Sequence, residues 1–393
     1  MSLAFSEKVI AGGPQDFATV RHLVLKGSNV EIGRKLGEIA RQRHKVVPTP
    51  SHDPIVTRCR SHYYRNNYPV HYERARGAAE AFGLPFPNET QDVLDLDYDM
   101  SGPPGCSVVY YPPQSTENGH GMLSRNYDFP TRTFSEMIGM PAHPGEPAMT
   151  ANPYLMEVHP DRGYPSLYMC AYDLLGGCID GVNSEGLTVA ILADNESMEA
   201  YPMEPTMNLA VGLNEIQVPR LLLDTCACVE DAKQALLMTK QYYSFLLCHY
   251  IIGDRHGQSF VWEYSHTHNR EYITEGGGKP QMITNHPLYK YHALSELPHE
   301  DDVKASSYTR YRTLTEALRK QERYSKEFIK ATNCTVAVTK QTLPEQEGKP
   351  NRTLWHAMYD IHEKSVEIDF YLGEDPNSPR GDRRSGYQTF RLQ

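Results

Sequence analysis

Apolar positions recur along this 393-residue chain with two different periods, and the change falls near residue 105. In the first hundred residues the period is mostly helical. Thr19 to Lys26 reads as a short strand rich in Val and Leu. Ser28-Asn29-Val30-Glu31 has the form of a capping box, and it opens a run through Ile32, Leu36, Ile39 and Ala40 spaced for one apolar helix face. A second helix is expected over Val70 to Phe82, with Gly83 placed to end it. Pro85, Pro87 and an acidic stretch from Gln91 to Asp99 follow and read as a linker.

From Cys106 onward strands dominate. Ser107 to Tyr111 and Met122 to Phe129 flank a turn containing Asn118-Gly119, a strong hairpin signal. Leu187 to Ala193 reads as a strand after a turn at Asn183 to Gly186. Tyr250 to Ile252 and Ser259 to Tyr264 form a second hairpin, and Leu354 to Asp360 with Ser365 to Leu372 a third. Helices are expected at Pro219 to Cys226, where the proline suits a first helical position, at Glu230 to Lys240 and at Ser307 to Arg319. Hairpins with helices inserted between them imply an α+β chain with antiparallel sheets.

The first hairpin constrains chemistry. With its turn centred between Thr116 and Gly119, facing residue numbers sum to roughly 233–237. Cys106 then faces a residue between Tyr127 and Thr131, and Asp128 lies near it. Arg125 precedes Asp128 by three, which places the two on opposite faces. Both reach the cysteine only if a bulge or twist intervenes. Gly105 is unhindered and free in its backbone angles, and Pro103 and Pro104 stiffen the approach. A thiol beside such a carbonyl can attack the preceding peptide bond. Cleavage at Gly105–Cys106 would leave an N-terminal cysteine whose own α-amine, titrating near pH ~8, takes the thiol proton. Arg125 would favour the thiolate, and Asp128 would orient the ammonium.

Composition changes this picture little. Apolar residues make up 39% and charged residues 22%, ordinary values for a globular chain, and the formal charge of −10 argues against a nucleic-acid surface. No stretch approaches the roughly eighteen apolar residues of a membrane span. The first ten residues lack a long apolar signal region, so a cytoplasmic location is the default expectation. The eight cysteines are scattered, and Cys226 and Cys228 form the one close pair; buried helix cysteines are favoured there over a metal site. His266 and His268 alternate on a strand, but nothing supplies further zinc ligands, so no metal and no cofactor are expected. Gly276 to Gly278 has no following helix and reads as a flexible loop, not a phosphate cradle.

Gly105-Cys106-Ser107 and Arg125-Asn126-Tyr127-Asp128-Phe129 together resemble the N-terminal-nucleophile amidases of the choloylglycine hydrolase and penicillin V acylase type. The hundred residues before the cysteine are more similar to the isopenicillin N acyltransferase branch, whose precursor cleaves itself at Gly–Cys. Val24 to Ser28 and Glu31 to Gly37 resemble that branch's propeptide. Asp180 to Leu187 resembles its G-x-N-x-x-G-L turn, Met282 to Pro287 its T-N-H/S-P motif, Ser306 to Arg312 its S-x-x-R helix start, and Thr353 to Asp360 its C-terminal hairpin. The resemblance runs in order through nearly the whole chain.

It implies an αββα four-layer sandwich, with residues 1–105 a helical propeptide segment covering the site and 106–393 the catalytic domain. It implies Cys106 as nucleophile, Arg125 and Asp128 beside it, Asn285 as oxyanion donor, Asn183 as a second oxyanion donor, and Arg310 as an anchor. Arg125 and Asp128 follow Cys106 by nineteen and twenty-two residues, a few more than in the bile-salt hydrolases, and the insertion falls in the turn. The implied activity is hydrolysis or transfer of an acyl group at a linear amide, with a small amide or acyl partner, acyl-coenzyme A included. No nucleic acid or membrane is expected, and homo-oligomerisation stays open. Two other readings compete: a papain-like Cys/His enzyme, disfavoured because Cys106 precedes a strand, and an unprocessed relative that binds a small ligand without catalysis.

Overall fold

The N-terminal hundred residues begin with a strand that the sequence pattern hides. The structure, a computed structural model, describes residues 3–99, 105–137, 139–201, 210–244, 246–299, 306–340, 342 and 350–393. Pro103 and Pro104 lie outside these. Strands β1 (Ala4–Gly12) and β2 (Thr19–Gly27) pair antiparallel. Two of the larger apolar residues of β1 face away from the core: Phe5 and Val9 are 40% and 48% exposed, while Ala11 is buried in it. Helix α1 (Asn29–Arg43) starts where the capping box places it, with the Ser28 hydroxyl accepting from the Glu31 N–H and the Glu31 carboxylate accepting from the Ser28 N–H. The two-residue strand β3 (Thr49–Pro50) pairs with β4 (Gln91–Asp92). Between them lie α2 (Pro54–Asn67), capped by Asp53, and α3 (Pro69–Phe82), ended by a left-handed Gly83. Helices α1 and α3 meet at glycines: a Cβ on Gly33 would lie 1.9 Å from the Arg74 carbonyl oxygen, and one on Gly77 1.9 Å from that of Val30. Side chains there would force the helices apart.

The expected linker is a buried seam. Asp92, Asp95 and Asp99 are 4%, 7% and 8% exposed. Fully buried Arg60 of α2 bonds Asp92 at 2.9 Å and also pairs with Asp95, while the Leu96 N–H donates to Asp173 at 2.8 Å. Acidic composition suggested solvent; a cation from a helix outside the sequence reading makes burial tolerable instead. The segment is also not purely helical, since β1 and β2 join the larger sheet.

Strands β5 (Gly105–Tyr111) and β6 (Met122–Pro130) form the first expected hairpin. Then follow α4 (Phe134–Met137), β7 (Tyr154–Pro160), β8 (Ser166–Cys170), β9 (Asp180–Asn183), β10 (Leu187–Ala193), α5 (Asn195–Ala200), α6 (Gln217–Thr225) and α7 (Val229–Met238). The remainder is β11 (Cys248–Asp254), β12 (Ser259–Ser265), β13 (Arg270–Glu275), β14 (Gln281–Ile283), α8 (Ser307–Leu318), α9 (Lys326–Thr335), β15 (Asn351–Asp360), β16 (Ser365–Glu374), β17 (Asp382–Arg384) and β18 (Gln388–Arg391). Helix α6 begins two residues before Pro219; the proline still sits in the first turn, where its missing N–H breaks no helical bond.

Nine strands form one sheet in the order β1-β2-β7-β8-β9-β10-β11-β12-β13, antiparallel except where β2 runs parallel to β7. Seven form the other, β14-β5-β6-β15-β16-β17, with β18 also pairing β16. The sheets meet face to face where β5 packs on β10 and β11. Helices α6 and α7 cover the nine-stranded sheet, and α8 and α9 cover the seven-stranded one. The result is the expected αββα sandwich. Its main core fills the space between the sheets and continues into α1, α3, α6 and α7, and a smaller one lies beneath α8 and α9. Among the described residues no helix is long and apolar enough to cross a membrane.

Candidate active site

Strand β5 presents two alternating faces. Cys106, Val108 and Tyr110 belong to the core between the sheets; Val109 and Tyr111 belong to the core beneath the helices. Cys106 faces Tyr127 and Gly105 faces Asp128, at the low end of the expected register. That register continues unbroken from Gly105 to Tyr111, so no bulge in this pair brings Arg125 and Asp128 to one face. The expected conflict resolves another way: Arg125 reaches the Cys106 sulfur on one face, and Asp128 lies beside Gly105 on the other.

On the inner face, Arg125 lies diagonal to Cys106 and its Nη2 donates to Sγ at 3.0 Å. The same group donates to the Ile191 carbonyl at 2.9 Å, and Nη1 donates to the Ile179 carbonyl at 3.1 Å and to the Asp180 carboxylate. The guanidinium also lies 4.8 Å from the Tyr127 ring centroid. Asp180 is itself held by the Tyr359 hydroxyl at 2.5 Å. Burial works against the charge on Arg125, but the sulfur and Asp180 outweigh it and hold the guanidinium charged.

On the outer face, Asp128 Oδ1 accepts from the Thr353 hydroxyl at 2.5 Å. Its Oδ2 has no hydrogen-bond partner and lies 3.8 Å from Arg310 Nη1. Burial pushes the Asp128 carboxyl up, and Arg310 opposes that. A Cβ on residue 105 would stand 3.2 Å from Asp128 Cβ and 3.7 Å from Oδ2, so glycine leaves the room this pairing needs.

Asn285 and Arg310 close the site from the edge of the sheet. Asn285 Oδ1 accepts from the Cys106 N–H and from Arg310 Nη2, both at 2.7 Å. Its Nδ2 donates to the Ala193 carbonyl at 2.8 Å, which uses one of the two N–H groups of the amide. The Asn285 N–H donates to Ser307 Oγ at 2.7 Å, and its carbonyl accepts from the Asn195 N–H at 3.0 Å. Arg310 Nη1 donates to the Cys106 carbonyl oxygen. Burial pulls the Arg310 guanidinium below its usual range, against the pull of Asp128 and the sulfur. Burial also pushes the Cys106 thiol up, with Arg125 acting the other way, and the residue is 0% exposed. The thiol is thus buried and held protonated.

Asn183 is the correction. Its Nδ2 donates to the carbonyls of Leu223 and Cys226 at 3.0 and 2.8 Å, and its Oδ1 accepts from the N–H groups of Glu185 and Leu187. It ties its own turn to the end of α6 and has no donor left for an oxyanion. The residue of that stretch which reaches the site is Asp180, at the other end of β9. Sequence reasoning also missed Thr353 and the segment Ala193 to Asn195. Thr353 stood in the quoted C-terminal motif; Ala193 acts through its backbone and leaves no residue signal. The seams around His266 are aromatic, with Tyr264 and Tyr243 rings at 4.9 and 5.8 Å, and among the described residues no group of His, Cys, Asp and Glu is placed to hold a metal.

A family model described as acyl-coenzyme A:6-aminopenicillanic acid acyl-transferase matches residues 115–375. That span contains Arg125, Asp128, Asn285 and Arg310 and begins after Cys106. No curated protein matches. Solved structures similar to the chain include a mutant conjugated bile acid hydrolase from Clostridium perfringens, at 15% identity over 73% of this chain and 96% of that one, with a TM-score of 0.47. Penicillin V acylase from Agrobacterium tumefaciens is 19% identical over 67% and 83%, with a TM-score of 0.44. An N-acylethanolamine-hydrolyzing acid amidase ortholog from Caenorhabditis elegans is 15% identical over 73% and 100%, with a TM-score of 0.37.

Proposed function

The chain belongs to the acyl-coenzyme A:6-aminopenicillanic acid acyl-transferase family, and on that premise we propose that it cleaves itself before Cys106 and then hydrolyses or transfers acyl groups at linear amides. The observation that carries this reading is the division of labour around one residue. The Cys106 sulfur is held by Arg125, its N–H by Asn285 and its carbonyl by Arg310, while the unpartnered oxygen of Asp128 lies beside Gly105. In the uncut chain the sulfur is buried and its pKa is raised, so it has no base. Cleavage would supply one: the new α-amine on the same residue. Asp128 would then receive the ammonium, and Arg125 would favour the thiolate. Attack on a substrate amide forms a thioester as the ammonium protonates the leaving amine. The second N–H of the Asn285 amide is the candidate donor to the oxyanion. Water or an acceptor amine then takes the acyl group.

The test is mass spectrometry. Cleavage yields pieces of 105 and 288 residues (393 less 105). The processed protein is then offered a panel of N-acyl amides and acyl-coenzyme A thioesters, with water or amines as acceptors. Cys106→Ala should give one uncut chain and no turnover. A folded, unaltered chain that stays whole, leaves Cys106 unreactive to iodoacetamide and turns nothing over would favour the non-catalytic binding reading.

A further inference from the structure

Among the buried polar atoms with no hydrogen-bond partner are Ser107 Oγ and Asp128 Oδ2, on the outer face of the β5–β6 pair, and both side-chain amide atoms of Asn333, Oδ1 and Nδ2, on α9. Ser107 and Asn333 are 0% exposed and Asp128 is 1% exposed. The topology gathers them. Ser107 pairs directly with Asn126, and Asp128 is the next residue of β6 on the same face. Helix α9 packs on β6, and Asn126 Nδ2 donates to the Asn333 main-chain carbonyl at 2.7 Å. A primary amide bonded at neither end, a free hydroxyl and a carboxylate oxygen are costly to bury together without partners. Buried groups of this mixed donor and acceptor character hold internal water.

Resting on the self-cleavage proposed above, the geometry points to an internal water site behind the Gly105–Cys106 bond, held by Ser107, Asn333 and Asp128, that supplies the water for the hydrolytic half of that cleavage. In the first half the Cys106 sulfur bonds to the Gly105 carbonyl carbon, the C–N bond breaks, and the thiol proton ends on the new α-amine. In the second half water opens the thioester. A C–O bond forms and the C–S bond breaks. One water proton returns to the sulfur, and the other leaves as Gly105 becomes a carboxylate. The thiol comes from the inner face of β5 and the water from the outer one, so the two nucleophiles do not compete for one position. Asp128 Oδ2, the acceptor nearest Gly105 in this set, takes the water proton in transit.

The experiment follows cleavage of freshly purified precursor by intact mass, with and without hydroxylamine, which cuts thioesters without help from the site. Asn333→Leu should slow cleavage at least about tenfold. It should also accumulate full-length chain that hydroxylamine cuts. Ser107→Ala, a smaller change that spares the packing beneath α9, should show the same pattern more weakly. Cleavage at the unaltered rate in both variants overturns the proposal, and so does slow cleavage with no hydroxylamine-sensitive species. If the unaltered chain yields neither fragments nor thioester, it is the self-cleavage reading that fails. The site is then read directly: a crystal structure of the Cys106→Ala chain should show water bonded to Ser107 Oγ and the Asn333 amide, and a dry site overturns it.

Discussion

Two arginines approach one cysteine from opposite sides, and they differ in how their charge is answered. Arg125, between the sheets, has a carboxylate, two carbonyls, an aromatic face and the sulfur around it. Arg310, beneath the helices, holds the Cys106 carbonyl and the Asn285 amide oxygen, and its pairing with Asp128 is loose at 3.8 Å. Burial depresses the Arg310 guanidinium, whereas Arg125 is held charged. Arg125 meets the sulfur and Arg310 the main-chain carbonyl, so one cation would favour a thiolate and the other would answer negative charge on a carbonyl oxygen.

Breaking the inner half of this contrast should have the largest effect. Arg125→Met leaves Asp180 buried without its cation and should cost about 3–5 kcal/mol of stability, read as a lower urea midpoint. Adding Asp180→Asn should restore much of the stability but not the turnover, because the sulfur has still lost its cation. On the outer face, Arg310→Gln should disturb folding less. It should slow cleavage and turnover by about 10²–10³, or roughly 3 kcal/mol of barrier. A stability loss as large as that of Arg125→Met, with turnover per folded molecule intact, would erase the distinction.

The two faces should also differ in acid. His356, on the outer face, bonds Ser124 Oγ at 2.8 Å and the Tyr387 hydroxyl, and burial lowers its pKa to about 3. A histidine depressed from its ordinary value of 6.5 contributes stability that is full above that value and is lost as pH falls towards 3. Between pH 6.5 and 4.5 the loss should be about 2 kcal/mol. His356→Gln should lessen the dependence of melting temperature on pH in that window without abolishing it, because His71 and His286 are also lowered to about 3. The smallest effect on turnover is expected away from both arginines: Asn183→Ala should cost stability, about 1 kcal/mol for each side-chain hydrogen bond lost, and leave turnover per folded molecule unchanged. A collapse in turnover would return Asn183 to the site.

What was legible in the sequence follows the range of the interactions. The Cys106–Tyr127 pairing depends on a single hairpin, so turn position alone came close to it. The opposite-face relation of Arg125 and Asp128 was also local, but the need for a bulge was not, because it assumed both residues seek the sulfur. Asp180 reaches Arg125 across the gap between two sheets, a contact no period encodes. Strand β1 escaped because Phe5 and Val9 face outward and break the alternation, and the seam from Gln91 to Asp99 misled because the cation that answers it lies more than thirty residues away, on α2. Asn285 and Arg310 entered through family resemblance; their own surroundings, a loop and a helix start, are common ones.

Strand β2 runs beside β7 from Arg21 to Gly27, and Arg74 of α3 bonds Asp224 of α6 at 3.0 Å. A break after residue 105 would therefore sever one covalent bond, at the first residue of β5, and leave β2 paired with β7. It would change the order of the folding reaction: what refolds as one molecule before the cut must reassemble from two after it. The melting midpoint of the cut protein would then rise with its concentration, and dilution alone would become a destabilising condition.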